Sequence, residues 1–293
     1  MKVFKVALSI FSIICTIIGI TSFTVLQILD KSISKEHVIS KLEEIKIYDQ
    51  IYDEVQSGFE EYIYQSGLEA EMFEDICTKE KIQNDLMSII DSIYEGKEAI
   101  IDTSIIKQNL DNKINNYVNE QGIEITAAEK ENIEKYEDLI ADSYGRKMSS
   151  YLSLKQLLGK RGIDWIRTIK TYKIAIFIVT IFYVSMIFKI NKFRTYTVIG
   201  NIGISFFSSG IILKIFNSII NSKIDIDNLI IFTKVLSNSL IYIAREIFIA
   251  VVELGNMYIG FGLFIIVITT MLDLDFRELR KSVGNIKKKG NLI

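Results

Sequence analysis

Residues 6–29 read VALSIFSIICTIIGITSFTVLQIL, and this stretch decides the fold class because it contains no charged side chain. At 1.5 Å per residue, a helix of this length crosses the roughly 30 Å hydrocarbon core of a bilayer. A cleaved signal peptide is the alternative. Its apolar region is normally only about 7–15 residues long, and no A-x-A-like cleavage site follows here. The stretch therefore predicts an uncleaved transmembrane anchor over residues 1–29.

Three more apolar stretches predict three further membrane spans, at about residues 169–190, 196–216 and 247–272. Together they predict a membrane domain over residues 166–272. An amphipathic segment, residues 228–243, precedes the last span and either lies along the membrane interface or continues into the span. The sequence thus predicts an all-α integral membrane protein with about four transmembrane helices and a helical extracytoplasmic domain, residues 30–165, between the first two.

The composition narrows the function classes. The 293 residues are 49% hydrophobic, and the mean hydropathy of +0.28 exceeds that of an ordinary soluble protein. Proline is absent, and isoleucine, lysine and asparagine are abundant, as in an AT-rich bacterial genome. The net charge of −2 hides an asymmetry, because residues 30–164 hold 29 acidic and 16 basic side chains. Such an acidic domain is not expected to bind nucleic acid.

Basic residues next to the spans predict the orientation, since lysine and arginine in short loops favour the cytoplasmic side. The two termini and the loop after the second span share a side, although five basic residues precede the second span on the other. Both termini are therefore predicted to be cytoplasmic. The tail, residues 273–293, is expected to attract anionic lipids. The basic residues on the predicted cytoplasmic side are Lys2, Lys5, Lys189, Lys192, Arg194, Arg277, Arg280, Lys281, Lys287, Lys288 and Lys289.

The region between the first two spans has the periodicity of helices. Apolar residues recur every three to four positions over residues 38–67, which predicts one long amphipathic helix that extends the first span outward. Shorter helices are predicted at 79–94, 104–120 and 127–144, and a further helix at 146–162 leads back to the membrane. The glycines that follow the shorter helices, Gly96, Gly122 and Gly145, are expected to end them.

Local signals refine these helix boundaries. Thr126 and Glu129 have the spacing of a capping box, in which each side chain satisfies a free backbone amide at the helix start. Two short β-capable pieces, residues 99–101 and 123–125, are too short to make a sheet of consequence even if they pair.

The sequence contains few of the residues and none of the motifs that enzymes commonly use for catalysis. His37 is the single histidine and is expected on the polar side of its helix, so a histidine triad or a histidine-rich metal site cannot be assembled within one chain. Cys15 and Cys77 lie in different regions, and Cys77 is expected to be a half-buried small hydrophobe. No nucleotide-binding, metalloprotease or hydrolase motif is present. We therefore expect no enzyme activity, no catalytic residue, no metal site and no cofactor.

A row of carboxylates marks the helix predicted at 127–144. Calcium prefers oxygens arranged around a turning loop, whereas helical spacing spreads these side chains over more than one face. A solvated acidic face is therefore expected, with cation binding as the alternative. The carboxylates are Glu129, Glu131, Glu134, Glu137, Asp138 and Asp142.

Six polar side chains within the predicted spans form the candidate intramembrane site. Small and polar residues let membrane helices pack closely, which is the first interpretation of this set. Glu253 stands out because an ionisable group inside a span usually faces the bundle interior or a hydrated path. Its position near the outer boundary, or pairing with Lys214, would explain it without transport. The candidates are Glu253, Asn256, Asn201, Ser205, Ser209 and Lys214.

These features are typical of a non-enzymatic envelope component that interacts with a partner protein through residues 30–165. An extracytoplasmic sensor that acts through a partner is an alternative, since a short tail leaves no room for a signalling domain. The layout also resembles that of the cell-division permease family related to ABC transporters, which implies a membrane subunit of a transport or cell-envelope machine. Only five residues precede the first span and the outer domain reads as helical, so no family residue is carried over.

Overall fold

The computed structural model describes residues 2–66, 69–192, 194–223 and 233–290. Within these residues the chain is all helical and contains no β-strand, as predicted, and residues 99–101 and 123–125 lie in loops. A short 3-10 helix, Ala70–Met72, accompanies the α-helices. In chain order the α-helices are α1 (Lys2–Ser32), α2 (Lys35–Glu44), α3 (Ile47–Ser66), α4 (Lys79–Glu95), α5 (Ser104–Gln121), α6 (Ala127–Tyr151), α7 (Ser153–Ile190), α8 (Thr195–Lys223) and α9 (Lys234–Gly290).

The chain divides into two compact units. The membrane unit comprises Met1–Ser32, Arg167–Ile226 and Ala244–Ile293, and the helical unit comprises Ile33–Ile166 and Asp227–Ile243. Helices α7 and α9 each contribute residues to both units.

Among the described residues, four helices are long and apolar enough to cross a membrane, in agreement with the four predicted spans. They cover Val3–Ser32, Arg167–Ile190, Thr195–Lys223 and Lys234–Leu274. Large apolar side chains on their surfaces are exposed, for example Phe182 at 58%. Contiguous exposure of this kind is unfavourable in water and natural in hydrocarbon.

Glycines set the spacing between α8 and α9 in the membrane unit. A Cβ added to Gly210 would lie 2.9 Å from the backbone nitrogen of Ile259, and one added to Gly203 would lie 3.2 Å from the carbonyl oxygen of Gly262. Only hydrogen side chains permit backbones to approach this closely. These glycines therefore bring α8 and α9 into direct contact.

The helical unit has its own apolar core, drawn from α2 to α6 and from the first turns of α9. Ile51, Ile82, Leu110 and Tyr144 are all at most 1% exposed, and Leu236 of α9 joins the same cluster. Burying this apolar surface is the main contribution to the stability of the unit.

Tyrosine hydroxyls at the periphery of this core form hydrogen bonds to other parts of the unit. The hydroxyl of Tyr94 donates to the carbonyl oxygen of Ile33 at 2.8 Å, and that of Tyr136 donates to the carbonyl oxygen of Tyr62 at 2.8 Å. The Tyr242 hydroxyl donates to the Glu44 carboxylate at 2.6 Å. The last bond ties α9 to α2 within the helical unit.

The prediction of one long helix over residues 38–67 is wrong, because the chain breaks at two places. Helix α1 ends at Ser32, and the Ser34 hydroxyl accepts the His37 amide at 3.4 Å to begin α2. A second break follows at Lys46, whose φ is +53°. In α3 the buried apolar residues are Ile47, Ile51, Val55 and Phe59, while Tyr48 and Tyr52 are partly buried.

Gly145 does not end a helix, contrary to expectation. Helix α6 continues through it to Tyr151, and residues 146–162 form the end of α6 and the start of α7 instead of a separate helix. A Cβ at Gly145 would lie 3.0 Å from the Thr103 side chain. The glycine therefore serves close packing of α6 against the residue that precedes α5.

Other boundary signals are confirmed. Gly96 and Gly122 follow α4 and α5 with φ of +74° and +63°, the left-handed conformation that glycine adopts readily. The Thr126 hydroxyl accepts the Glu129 amide at 3.3 Å, while the Glu129 carboxylate accepts the Thr126 amide at 2.8 Å. The capping box is thus complete.

Helix α9 resolves the alternatives for the segment before the last span. From Lys234 onward the segment is continuous with the spanning helix, and residues 228–232 lie outside the described part of the chain. The backbone stays helical to Gly290, whereas the basic side chains of the tail lie outside the described residues.

Candidate functional sites

The structure does not bring the six candidate intramembrane residues together at one site. Ser205 and Ser209 are fully buried, and the Ser209 hydroxyl donates to the carbonyl oxygen of Ile17 on α1 at 3.2 Å. The Ser205 hydroxyl donates to the carbonyl oxygen of Asn201 in its own helix at 2.9 Å. This pair therefore belongs to the packing seam around α8, in agreement with the first interpretation of the set.

Glu253, Asn256 and Lys214 are exposed side chains. Among the described residues, the Glu253 carboxylate and the Lys214 ammonium do not form an ion pair. The alkyl stem of Lys214 lies against Gly255, where an added Cβ would be 3.2 Å from Lys214 Cγ. The structure therefore does not support the explanation of Glu253 by pairing with Lys214.

A hydrogen bond between α1 and α9 shows which residues of α1 lie beside Glu253 along the helix axes. The hydroxyls of Thr24 and Tyr258 lie 2.9 Å apart. Because the two helices run antiparallel, Glu253, five residues before Tyr258, is level with Leu29, five residues after Thr24. The Asp30 carboxylate next to this level forms an ion pair with Lys173. Glu253 thus lies at the same level as a charged pair, where its side chain reaches polar surroundings easily.

Asn201 lines a groove beside the N-terminal part of α8. The groove has a volume of about 250 Å³ and lies between α8 and α9. Its lining combines hydroxyl, amide and carboxylate side chains with apolar ones. Its lining comprises Tyr196, Thr197, Gly200, Asn201, Ile204, Ile266, Thr269, Thr270 and Asp273.

A buried polar network lies in the core of the helical unit. The Lys81 ammonium donates to both oxygens of Asp85, at 2.5 and 2.6 Å, and the two residues are 9% and 4% exposed. The Tyr144 hydroxyl donates to the same carboxylate at 2.6 Å. Burial, and then the hydrogen bond to Asp85, raises the pKa of Tyr144. Because the pair is enclosed in the core, removing one partner would leave an uncompensated buried charge.

Glu137 is the carboxylate that departs from the predicted acidic face. It is 2% exposed, and its Oε1 has no hydrogen-bond partner. Burial raises the pKa of Glu137 to about 7, with a further increase from Asp111.

Two other carboxylates of α6 are ion-paired and exposed, as expected for a solvated face. Glu131 forms an ion pair with Lys135, and Asp138 forms one with Lys107. The described residues contain no cluster that could hold a metal ion.

No family model, curated protein or solved structure matches this chain. The resemblance to the cell-division permease layout therefore remains a prediction from the order of spans alone.

Sequence periodicity contained signals for the buried groups that the sequence analysis missed. Glu137 precedes Ile140, Tyr144 and Met148 at helical spacing, which places its carboxyl on the buried face of α6. In α8, Asn217 lies two four-residue steps after Ser209, beyond Leu213, on the face that carries Asn201 and Ser205. It is 8% exposed, with an Oδ1 that lacks a hydrogen-bond partner.

Cys77 is expected to resist thiol reagents in the folded protein. It is completely buried instead of half-buried, and burial raises the pKa of its thiol to about 12. In a Cys15→Ala variant held in micelles at about pH 8, a maleimide should label Cys77 only after denaturation, because the reactive thiolate is scarce and inaccessible. Mass spectrometry of the intact chain measures the labelling. Similar labelling rates before and after denaturation would contradict this prediction.

Proposed function

We propose that the chain is a multi-pass protein of the bacterial cell membrane whose helical unit acts outside the cytoplasm as a non-enzymatic interaction domain. The observation that carries this proposal is the independent apolar core of the helical unit, centred on residues such as Ile51, Ile82 and Leu110. A segment that merely joined two spans would have no reason to bury a core of its own. A folded module of this kind is suited to presenting a defined surface to another protein.

The charge of the helical unit favours a partner with a basic surface. Residues 30–164 carry 29 acidic and 16 basic side chains. Ion pairs within the unit use part of this charge, as between Lys147 and Glu54 at 2.7 Å and between Lys35 and Asp91 at 2.8 Å. The remaining acidic excess attracts a basic protein surface and increases the rate of association. The same excess disfavours nucleic acid.

The proposed topology places both termini in the cytoplasm and residues 30–165 outside it. Basic residues on the short flanks of the spans support this orientation. The basic tail, residues 273–293, then lies at the inner leaflet and attracts anionic lipids by about 1 kcal/mol per basic residue near the surface.

A sensor that acts through a partner is the second candidate, and helix α9 favours it. The first turns of α9 belong to the helical unit, where Leu236 lies in the core, and the same helix continues as the last candidate span. A ligand or protein that changes the packing around Leu236 thereby acts directly on a membrane helix. The cytoplasmic partner would detect a shift of the tail that follows this span.

Cysteine accessibility in intact cells tests the topology. In a Cys15→Ala background, Glu124→Cys places a thiol on the exposed loop between α5 and α6, and Lys192→Cys places one on the exposed turn between α7 and α8. A membrane-impermeant maleimide should label Glu124→Cys and not Lys192→Cys, whereas both should label in permeabilised cells. The reverse pattern in intact cells would overturn the proposed orientation.

Site-specific photo-crosslinking tests the interaction. A photoreactive amino acid at Glu124 of the full-length protein should give a discrete crosslinked protein band in cells. The matched control carries the same group at Ile178, which is 62% exposed on a candidate span and should crosslink to lipid instead. If no crosslinking position on the exposed surface of the helical unit captures a protein, the proposed interaction function is wrong.

A further inference from the structure

Glu137 of α6 combines deep burial with an unsatisfied carboxyl oxygen. It is 2% exposed, and Oε1 accepts no hydrogen bond. The carboxyl oxygen Oε1 is shielded from water, so the ionised form loses part of the stabilisation that water provides. The site therefore favours the protonated acid.

The charges around Glu137 strengthen this preference. From α5, Asp111 opposes ionisation, while Lys107 favours it. The Lys107 ammonium is already 2.5 Å from the carboxylate of Asp138, so its charge is shared. From α6 itself, Glu134 and Asp138 also oppose ionisation. The basic side chain that acts on Glu137 is thus already paired with Asp138.

The charged groups of α3 and α4 that contact α6 do so at residues that follow Glu137 in the chain. Helix α4 places Asp85 against the hydroxyl of Tyr144, two turns further along α6. Helix α3 places Glu54 against Lys147 and Tyr151, further along still. The charged groups that act on Glu137 thus come from α5 and α6.

We propose that Glu137 is a proton-binding switch: the protonated side chain lets α5 and α6 close around it, and ionisation loosens their packing. Burial and Asp111 raise the pKa of Glu137 to about 7, so the change occurs near neutral pH. This inference does not depend on the proposed function, because it follows from the packing of α6 on either side of a membrane.

The sign of the pH dependence follows from linkage. The pKa of Glu137 rises from its ordinary value of 4.5 to about 7 on folding. Between these values the folded state binds more protons than the open state, so stability is greatest at low pH and decreases as pH rises. The local opening constant of α5 and α6 should therefore increase on the order of 10- to 30-fold from about pH 5.5 to about pH 8.

Hydrogen exchange of the full-length protein in lipid nanodiscs tests the proposal. After correction for intrinsic rates, amides of α5 and α6 should exchange faster at the higher pH in the wild type. Glu137→Gln should abolish that difference, because the amide cannot ionise. The matched control is Asp142→Asn, which removes an exposed carboxylate from the same helix and should keep the wild-type pH dependence.

Two outcomes would overturn the proposal: wild-type exchange in α5 and α6 that does not change with pH, or a pH dependence that persists in Glu137→Gln. If Glu137→Gln does not fold, Asp111→Asn provides the second variant. Removing this repulsive carboxylate should move the midpoint of the exchange transition to lower pH. An unchanged midpoint would overturn the proposal as well.

Discussion

Asp85→Ala is expected to lower the free energy of unfolding of the helical unit by about 3–5 kcal/mol. The substitution removes both oxygens that accept hydrogen bonds from the Lys81 ammonium and the acceptor of the Tyr144 hydroxyl. It leaves a positive charge with 9% exposure and no counter-charge. Chemical denaturation of the full-length protein in micelles, followed by circular dichroism, measures the loss.

The control for this prediction is an ion pair between the same residue types at the surface. Asp138→Ala removes the partner of Lys107, and the two side chains are 61% and 39% exposed. Exposed pairs contribute at most about 1 kcal/mol, so this variant should stay close to the wild type. A Lys81→Met, Asp85→Leu double variant should recover much of the loss, since it removes both charges. Equal losses in Asp85→Ala and Asp138→Ala would contradict the proposed importance of burial.

Gly262→Ala is expected to destabilise the membrane unit by about 1–3 kcal/mol. A Cβ at this position would overlap the backbone nitrogen of Phe207 and would lie 2.7 Å from the carbonyl oxygen of Gly203. These are backbone atoms of the neighbouring helix, so a rotamer change cannot relieve the overlap and α8 and α9 must separate. Thermal unfolding in micelles measures the effect.

Gly260→Ala is the matched control on the same helix. An added Cβ at Gly260 meets no atom within 4 Å. Its melting temperature should therefore stay near that of the wild type, because the methyl group enters open space. If Gly260→Ala and Gly262→Ala lower the melting temperature equally, the loss comes from the helix backbone and not from the contact between α8 and α9.

The sequence predicted the features that depend on local or strongly periodic signals. The four spans follow from long, mainly apolar runs, and α4 and α5 follow from apolar periodicity closed by Gly96 and Gly122. The capping box at Thr126 was equally clear, since both partners lie within one turn. Each of these features is determined by residues close to one another in the chain.

Features that depend on tertiary contacts were missed. The break at Lys46 places a non-glycine residue at a φ of +53°, which no residue preference would suggest. Gly145 resembles a helix end, but its space is used by the Thr103 side chain. The burial of Glu137 was concealed by its acidic neighbours. The Thr103 side chain beside Gly145 is remote in sequence, so a local pattern does not reveal that contact.

The same distinction applies to the candidate intramembrane site. Polar residue type and four-residue spacing correctly selected Ser205 and Ser209 as packing positions. They did not distinguish these residues from Asn256, which has a similar polarity and is exposed. Whether a polar side chain faces a neighbouring helix depends on the rotation of its own helix about the helix axis. For α8 and α9, the glycine contacts in the structure show this rotation, whereas the sequence does not.

The divided sequence of the helical unit has a consequence for biosynthesis. Its core includes Leu236, and its edge is fastened by Tyr242, yet both residues follow α7 and α8 in the chain. A ribosome therefore releases the last part of this core only after two membrane helices have emerged. Until then the apolar surface that will receive Leu236 stays uncovered, and transiently exposed apolar surface promotes aggregation of folding intermediates.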